Sequence, residues 1–439
     1  MLVTWLGHAQ LYLNAAGRTI LVDPWFAEPV FGGAWFRYPP PPYPDASTLP
    51  PPDFLILSHA HTDHSGPDTL AQLRKATPTF LCPFPSGVLE RRLARAGFTH
   101  VTPLPAWETR EIAPGLRLTL VPHDRGWEVS SVVLEADGVR VYHGNDNALS
   151  LEGYREVRRR LGPIDLAFLP YAGASSYPTG FAGDEATLEA RCAQKKVEGL
   201  KRFTDGLEGL EPREGVPHAS SWALLEASQV WKNYVDRPTA AETIAHALPL
   251  AAKLGTHLVH LEPGDEWSPS LGAVNKRLTA EWPSTIDGVR RYAEQERARV
   301  DAAVAKFRGP LHGVEPARLD EAFRHFFGKL LAASAPKDLS MKAGFEAEGA
   351  GSWRIHFTPG QAARVESNLA GDEDEVLTLA PAELWAILAG PWTWEDVWYG
   401  YRLRVRKREG AGYYRAFWEL LLNADTEALS ADVRARFGG

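Results

Sequence analysis

Phe54-Leu55-Ile56-Leu57-Ser58-His59-Ala60-His61-Thr62-Asp63-His64 is the stretch that decides how this chain reads. Its first four residues are a continuous apolar run, which suits a strand buried on both faces. Three imidazoles and a carboxylate follow within six positions. They cannot all face a core, because each would need a buried partner. At the end of a strand, in a loop opening onto a helix, they can converge on metal instead. His59 and His61, two apart on an extended segment, point the same way. Asp63 and His64 begin the following turn and can serve a second ion nearby. The plainer alternative is a solvated loop that happens to be rich in histidine.

Outward from this stretch, strand and helix signals alternate. Leu11-Tyr12-Leu13 and Thr19-Ile20-Leu21-Val22 flank Ala15-Ala16-Gly17, a pattern that suits a hairpin. The segment 25–52 is dense in proline and aromatics, with Pro39 to Pro42 consecutive. Proline lacks an N–H and fixes φ, so this is neither helix nor central strand. So long a loop inside a domain is more often functional than idle, and an aromatic lid or substrate wall is expected there. Helices are expected over 69–76 and 87–96, and a buried strand over 164–169. A meander is expected over 116–121, 130–136 and 139–142, with Asp137-Gly138 as a turn. Residues 286–307 read as one long charged helix. From about Glu315 the pattern becomes helix 317–333, strands 339–347 and 352–357, strand 376–379, helix 381–388, a Trp-rich turn 391–398 and strand 401–406.

The chain has 439 residues, enough for two or three domains. Its 44% hydrophobic and 23% charged content excludes disordered and fibrous classes. A net charge of −8 lacks the electrostatic footprint of a nucleic-acid binder. Cys82 and Cys192 cannot build a four-thiolate site or a disulfide framework, so metal chemistry must use His and carboxylate. No apolar run approaches the roughly 20 residues of a membrane span. The N-terminal residues have no secretory pattern, which makes the cytoplasm the expected compartment.

The H-x-H-x-D-H spacing after an apolar strand resembles the metallo-β-lactamase superfamily, with the pattern extending over roughly the first 270 residues. Gly7-His8-Ala9 and Leu21-Val22-Asp23-Pro24-Trp25 look like elements of its ascorbate-lactonase-like branch. The resemblance implies an α/β chain with an αββα sandwich holding two metals at the sheet edges. It implies metal ligands His59, His61, Asp63 and His64, joined by His123 after strand Val121-Pro122. A bridging carboxylate is expected at Gly-Asp in that family; here Gly144-Asn145-Asp146 offers Asp146 one residue later. His218 is expected as the last ligand, with His257 and His260 as competitors. Asp63 would also carry a proton, Asp23 would orient a ligand histidine, and His8 would line the cleft; a turn aspartate and a buried backbone-capping histidine are the plainer readings of the last two.

Leu169-Pro170-Tyr171-Ala172-Gly173-Ala174-Ser175-Ser176-Tyr177-Pro178, Val216-Pro217-His218-Ala219 and Glu262-Pro263-Gly264-Asp265 are also similar to the CMP-N-acetylneuraminate hydroxylase-like relatives of that fold. The hydroxylase proper adds a Rieske module, which needs paired Cys and His motifs. Neither Cys82 nor Cys192 sits in one, so any electron-transfer half is expected outside this chain.

Taken together, the expectation is a metallo-β-lactamase-type domain over 1–271, a helical linker over 272–314 and a smaller α+β domain over 315–439. The first would be a metal-dependent hydrolase, its metal-bound hydroxide attacking an ester, lactone, amide or phosphoester of a partly apolar small molecule. The cofactor would be two divalent ions, zinc first, with iron or manganese as the others that such ligands accept. A diiron oxygenase of the same fold is the alternative. Flavodiiron relatives place Glu where this chain has His61, which favours zinc here. The last domain looks like the sterol-carrier-like fold, against the plainer reading of a packing or oligomer-forming domain. Substrate identity and a homo-oligomeric state are left open.

Overall fold

Two β-sheets face each other because their strands carry apolar side chains on both sides. The computed structural model of the protein describes residues 1–308 and 314–437. Residues 309–313, the end of the expected linker, and 438–439 lie outside the described residues. The chain divides into two compact units, the first comprising Met1–Val30, Trp35–Gly173 and Ala190–Arg297.

In the first unit, an eight-stranded sheet runs in the order Gly272–Val274, Glu266–Ser268, Leu2–Gly7, Gln10–Ala15, Arg18–Val22, Phe54–Leu57, Thr79–Leu81, Val101–Pro103. It is antiparallel up to Arg18–Val22 and parallel beyond. A seven-stranded sheet has the order His257–Leu258, Glu214–His218, Leu166–Pro170, Val139–His143, Ser130–Ala136, Leu116–Pro122, Thr109–Ala113. Its first four strands are parallel and the rest form the expected antiparallel meander. Leu13, Ile20 and Ile56 of one sheet share a core with Leu120, Val132, Val141 and Phe168 of the other. The outer face of the first sheet is covered by Pro67–Ala71 and Val88–Arg95 through Leu70, Leu89 and Leu93. That of the second is covered by Leu151–Leu161, Glu185–Leu210 and Ala240–Leu254 through Tyr154, Phe203, Leu207 and Ala247. This is the αββα layering that the sequence pattern implies.

Four features differ from the sequence reading. The 26-residue helix Glu185–Leu210 was not anticipated. Its apolar residues are sparse, because several of its buried positions are Gly199, Gly206 and Gly209, which hide the helical period from a hydrophobicity count. The long helix expected over 286–307 is divided into Ile286–Gln295 and Arg297–Arg308, with Glu296 (φ −91°, ψ 7°) between them. Gly272–Val274, inside the expected linker, pairs with Glu266–Ser268 in the first sheet. The 25–52 loop contains a short strand, Trp35–Arg37, paired with Trp222–Leu224.

The second unit comprises Phe31–Ala34, Ala174–Glu189 and Ala298–Gly439. Its five-stranded sheet runs Arg364–Ser367, Gly351–Phe357, Met341–Ala347, Glu375–Leu379, Arg404–Lys407. Helix Pro316–Ser334 packs on it, with Phe323, Phe327, Phe345, Trp353, Trp394 and Phe417 filling the core. Phe31–Ala34 is held there by Gly32 N–H, which donates to Asp396 Oδ1 at 2.8 Å. No described helix is long and apolar enough to cross a membrane.

Candidate metal centre

Parallel strands deliver their C-terminal ends to one edge, where a crevice forms. Arg18–Val22 and Phe54–Leu57 end there in Asp23 and in the Ser58–His64 loop. In the other sheet Val139–His143 leads to Asp146, and Glu214–His218 ends in His218. After His59 and Ala60, His61 takes the cap position (φ −57°, ψ 147°) of a one-turn helix, Thr62–Ser65. That turn brings Asp63 and His64 back toward the strand ends. His8 (φ +48°), Asp23 (φ +44°) and Asn145 (φ +42°) are all in the left-handed region. Such conformations persist where surrounding contacts over-determine them, and they collect at functional sites.

The distances define two groups of metal-capable atoms. His59 Nε2 and His61 Nδ1 are 2.8 Å apart, and Asp146 Oδ2 is 4.0 Å from His59 Nε2. His64 Nε2 lies 3.5 Å from both Asp63 Oδ2 and Asp146 Oδ2. His8 Nε2 is 2.9 Å from Asp63 Oδ2. The ligand atoms of His59, His61 and Asp146 lie within 4.8 Å of one another, as do those of His8, His64 and Asp146. Asp146 is common to both groups. Its side chain is 35% exposed, whereas His59, His64 and Asp63 are buried.

Asp23 supports this cluster from behind. Its Oδ1 accepts from Ser58 N at 2.8 Å, and its Oδ2 accepts from Ser58 Oγ at 2.7 Å and lies 3.2 Å from His64 Nδ1. Ser58 Oγ is also 2.8 Å from His59 Nδ1. A hydroxyl on the far ring nitrogen fixes the orientation of His59, and the Asp23 carboxylate stands within ion-pair range of the His64 ring.

His123 and His218 fall outside both groups. His123 Nδ1 accepts from its own loop, the Arg125 amide, at 2.9 Å. Its amide donates to Val129 O, and Val129 is bridged to His59, so its backbone runs close to the cluster. His218 is fully buried with its Nε2 3.0 Å from His143 Nε2, which in turn is 2.8 Å from Ala9 O. His257 and His260 are exposed. Sequence reasoning passed over His143, although it adjoins Gly144-Asn145-Asp146. Nothing in its local pattern separates it from a strand residue.

Buried imidazoles shed their charge, and burial together with the charges of His64, His61 and His8 holds His59 well below its usual pKa. His218 and His143 are also lowered, chiefly by burial. His64 goes the other way: burial opposes its charge, but Asp63 and Asp146 together raise it well above the usual value. Burial likewise resists ionisation of Asp63, yet His64 and the neighbouring histidines hold its carboxyl and the part-exposed Asp146 carboxyl below the usual range. His8 Nδ1, Asp63 Oδ1 and both His64 nitrogens are buried without a hydrogen bond. Unsatisfied imidazole nitrogens beside carboxylates are a donor set that fits divalent zinc or iron.

Aromatics of the 25–52 loop form one wall. Trp25 meets the His8 ring edge-on at 5.3 Å, and Trp35 stands 6.2 Å from it. Trp222 stacks flat on Trp35 at 3.7 Å.

The αββα layering and a His/Asp cluster at the strand ends define a metal-site α/β protein. Residues 18–199 match the family model described as the beta-lactamase superfamily domain. The cytidine monophosphate-N-acetylneuraminic acid hydroxylase of Mus musculus is 26% identical over 227 residues, 49% of this chain and 38% of that protein. A Mycolicibacterium smegmatis protein named for a Rieske 2Fe-2S centre is 28% identical over 238 residues, 52% of this chain and 45% of that protein. The chain thus spans less than half the length of these relatives. Among solved structures, the diiron beta-hydroxylase CmlA from Streptomyces venezuelae is 18% identical with a TM-score of 0.42, covering 62% of this chain and 54% of that one. Igni18, a metallo hydrolase from Ignicoccus hospitalis, is 20% identical with a TM-score of 0.39, covering 60% of this chain and 96% of that one. Both cysteines here are free and buried.

Proposed function

We propose that the protein is a dinuclear metal-dependent hydrolase acting on an ester, lactone, amide or phosphoester of a partly apolar small molecule. The observation that carries this reading is that one carboxylate, Asp146, belongs to both groups of metal-capable atoms. His59 and His61 would hold one ion, His64 and Asp63 the other, and Asp146 would join them. His123 and His218 remain ligand candidates by the family pattern, and His8 is a further one by its grouping with His64 and Asp146. Bound divalent ions would supply an activated water and positive charge for a developing oxyanion.

The chain's own residues do the rest. Asp23 and Ser58 hold His64 and His59 in orientation. Asp63, 2.9 Å from His8 Nε2, would pass a proton to or from that ring. Trp25 and Trp35 keep bulk water from the His8 side.

A second reading is a diiron oxygenase; that the mouse relative is a hydroxylase favours hydroxylation over hydrolysis. His61, where flavodiiron relatives have Glu, supports hydrolysis. Elemental analysis of protein purified without added metal, paired with oxygen-uptake measurements, separates the two. Two zinc ions and no oxygen uptake in the presence of reductant support the hydrolase; two irons with substrate-dependent uptake overturn it.

A further inference from the structure

Arg202 and Arg237 flank the loop that follows Leu166–Pro170, with Arg202 against Gly173 and the residue after Arg237, Pro238, against Gly199. Leu166–Pro170 lies between the strands that lead to Asp146 and His218. The loop that follows it, Tyr171-Ala172-Gly173, is met by helix Glu185–Leu210. At Gly199 of that helix, an added Cβ would stand 2.5 Å from Tyr171 O and 3.1 Å from Pro238 Cδ. Only glycine permits so close an approach, so helix, loop and the 237–238 segment meet at one point. Lys195, Gly199 and Arg202 lie at i, i+4 and i+7, on the same helical face.

Arg202 reaches past Gly173, where a Cβ would lie 2.3 Å from its Nη1. It is half-buried and makes no hydrogen bond or ion pair among the described residues. Asp146 and Glu198 are the carboxylates that act on its charge. Arg237 is 2% exposed. Its Nη2 donates to Trp222 O at 2.7 Å, but Nε and Nη1 have no partner. The guanidinium lies 3.5 Å over the Trp222 ring and 4.9 Å from that of Tyr234.

The nearby carboxylates are committed elsewhere. Asp236 pairs with Lys195 at 2.7 Å, Glu242 accepts from Thr239 N, and Glu198 accepts from Gln194. A guanidinium cannot shed its proton, and cation–π contact offsets only part of the cost of burying one. Unpaired N–H groups arranged as a fork match a carboxylate or phosphate.

We propose that Arg202 and Arg237 form an oxyanion-binding subsite that seats a phosphate or carboxylate group of the substrate beside the metal centre. The inference deepens the hydrolase reading and rests on it for the word substrate. The substrate is then an anionic small molecule, its charged group held at the ends of Leu166–Pro170 and Glu214–His218.

The test titrates inorganic phosphate, and separately acetate, into the metal-loaded full-length protein by calorimetry. The same titrations are made on Arg202→Met and Arg237→Met, with metal content measured on every sample. Binding of either anion, weakened about tenfold or more in Arg202→Met at unchanged metal content, is the expected result. Preference for phosphate assigns a phosphoryl substrate, and preference for acetate a carboxylate. If the wild type binds neither anion, or Arg202→Met binds as wild type does, the subsite is overturned. Should Arg237→Met fail to fold, Arg202→Met decides alone. If metal loading gives fewer than two ions per chain while the anion still binds through Arg202, the two-ion reading falls and the subsite stands.

Discussion

His64 Nδ1 stands 3.2 Å from Asp23 Oδ2, although 41 residues separate the two in sequence and both are fully buried. Two parallel strands, Arg18–Val22 and Phe54–Leu57, create that contact by ending side by side. Asp23→Asn removes the charge that orients the ring while keeping its shape. Metal affinity is expected to fall about tenfold or more, read by competition with a chelator of known affinity. Retention equal to wild type would mean that Ser58 alone holds the histidines.

Asp146 is the shared carboxylate, so Asp146→Asn should reduce bound metal below two ions per chain, whereas His61→Ala should affect one ion first. Elemental analysis after gel filtration reads the stoichiometry. Two full equivalents in the Asp146 variant would refute its bridging position.

Ions that bind the folded state alone stabilise it by mass action. Chelation is therefore expected to lower Tm and readdition to restore it. Metal binding requires a neutral His64 ring, whose pKa Asp63 and Asp146 hold above the usual value against the effect of burial, so retention should weaken as pH falls. A Tm indifferent to chelator would argue that the cluster is held by its own ion pairs.

Trp222 is 4% exposed and lies between Trp35 at 3.7 Å and the Arg237 guanidinium at 3.5 Å. Trp222→Ala should lower stability by about 3–5 kcal/mol in chemical denaturation, with Trp222→Phe recovering part of the loss. A cost near zero would mean that the stack is not packed as found.

In the second unit, Glu375 is 1% exposed, and neither carboxylate oxygen has a hydrogen bond. Burial pushes its pKa up to about 7, with Lys407 offsetting only part of the effect. The folded state thus binds this proton more tightly than the unfolded state, so stability falls as pH rises from about 4.5 to about 7. Glu375→Gln should remove that decline and leave the variant more stable than wild type at pH 8, by roughly 3 kcal/mol at most. Parallel stability–pH curves for the two proteins would refute this.

Local sequence carried the elements whose signals are local. Phe54–Leu57 is an unbroken apolar run, and the Asp137-Gly138 and Ala16-Gly17 turns take the positive φ that tight hairpins need. Helix Pro381–Leu388 begins at a proline that fits a first helical turn. Helix Glu185–Leu210 escaped because its packing depends on glycines, whose role is visible only against the surfaces they approach.

The order of residues along the chain determined which side chains are available: an apolar strand followed by alternating His, His, Asp, His, and further acids and histidines after later strands. Chemistry of that kind is written in residue type and spacing, because strand and turn geometry repeat from protein to protein. Only the tertiary structure decided that Asp146 belongs to both ligand groups, that His8 joins one of them, and that His218 meets His143. It also left Arg202 without an ion pair among the described residues and Arg237 with two unpartnered nitrogens. Those relationships link positions far apart in the chain, and their distances follow from how two sheets and their covering helices pack, which no local pattern encodes.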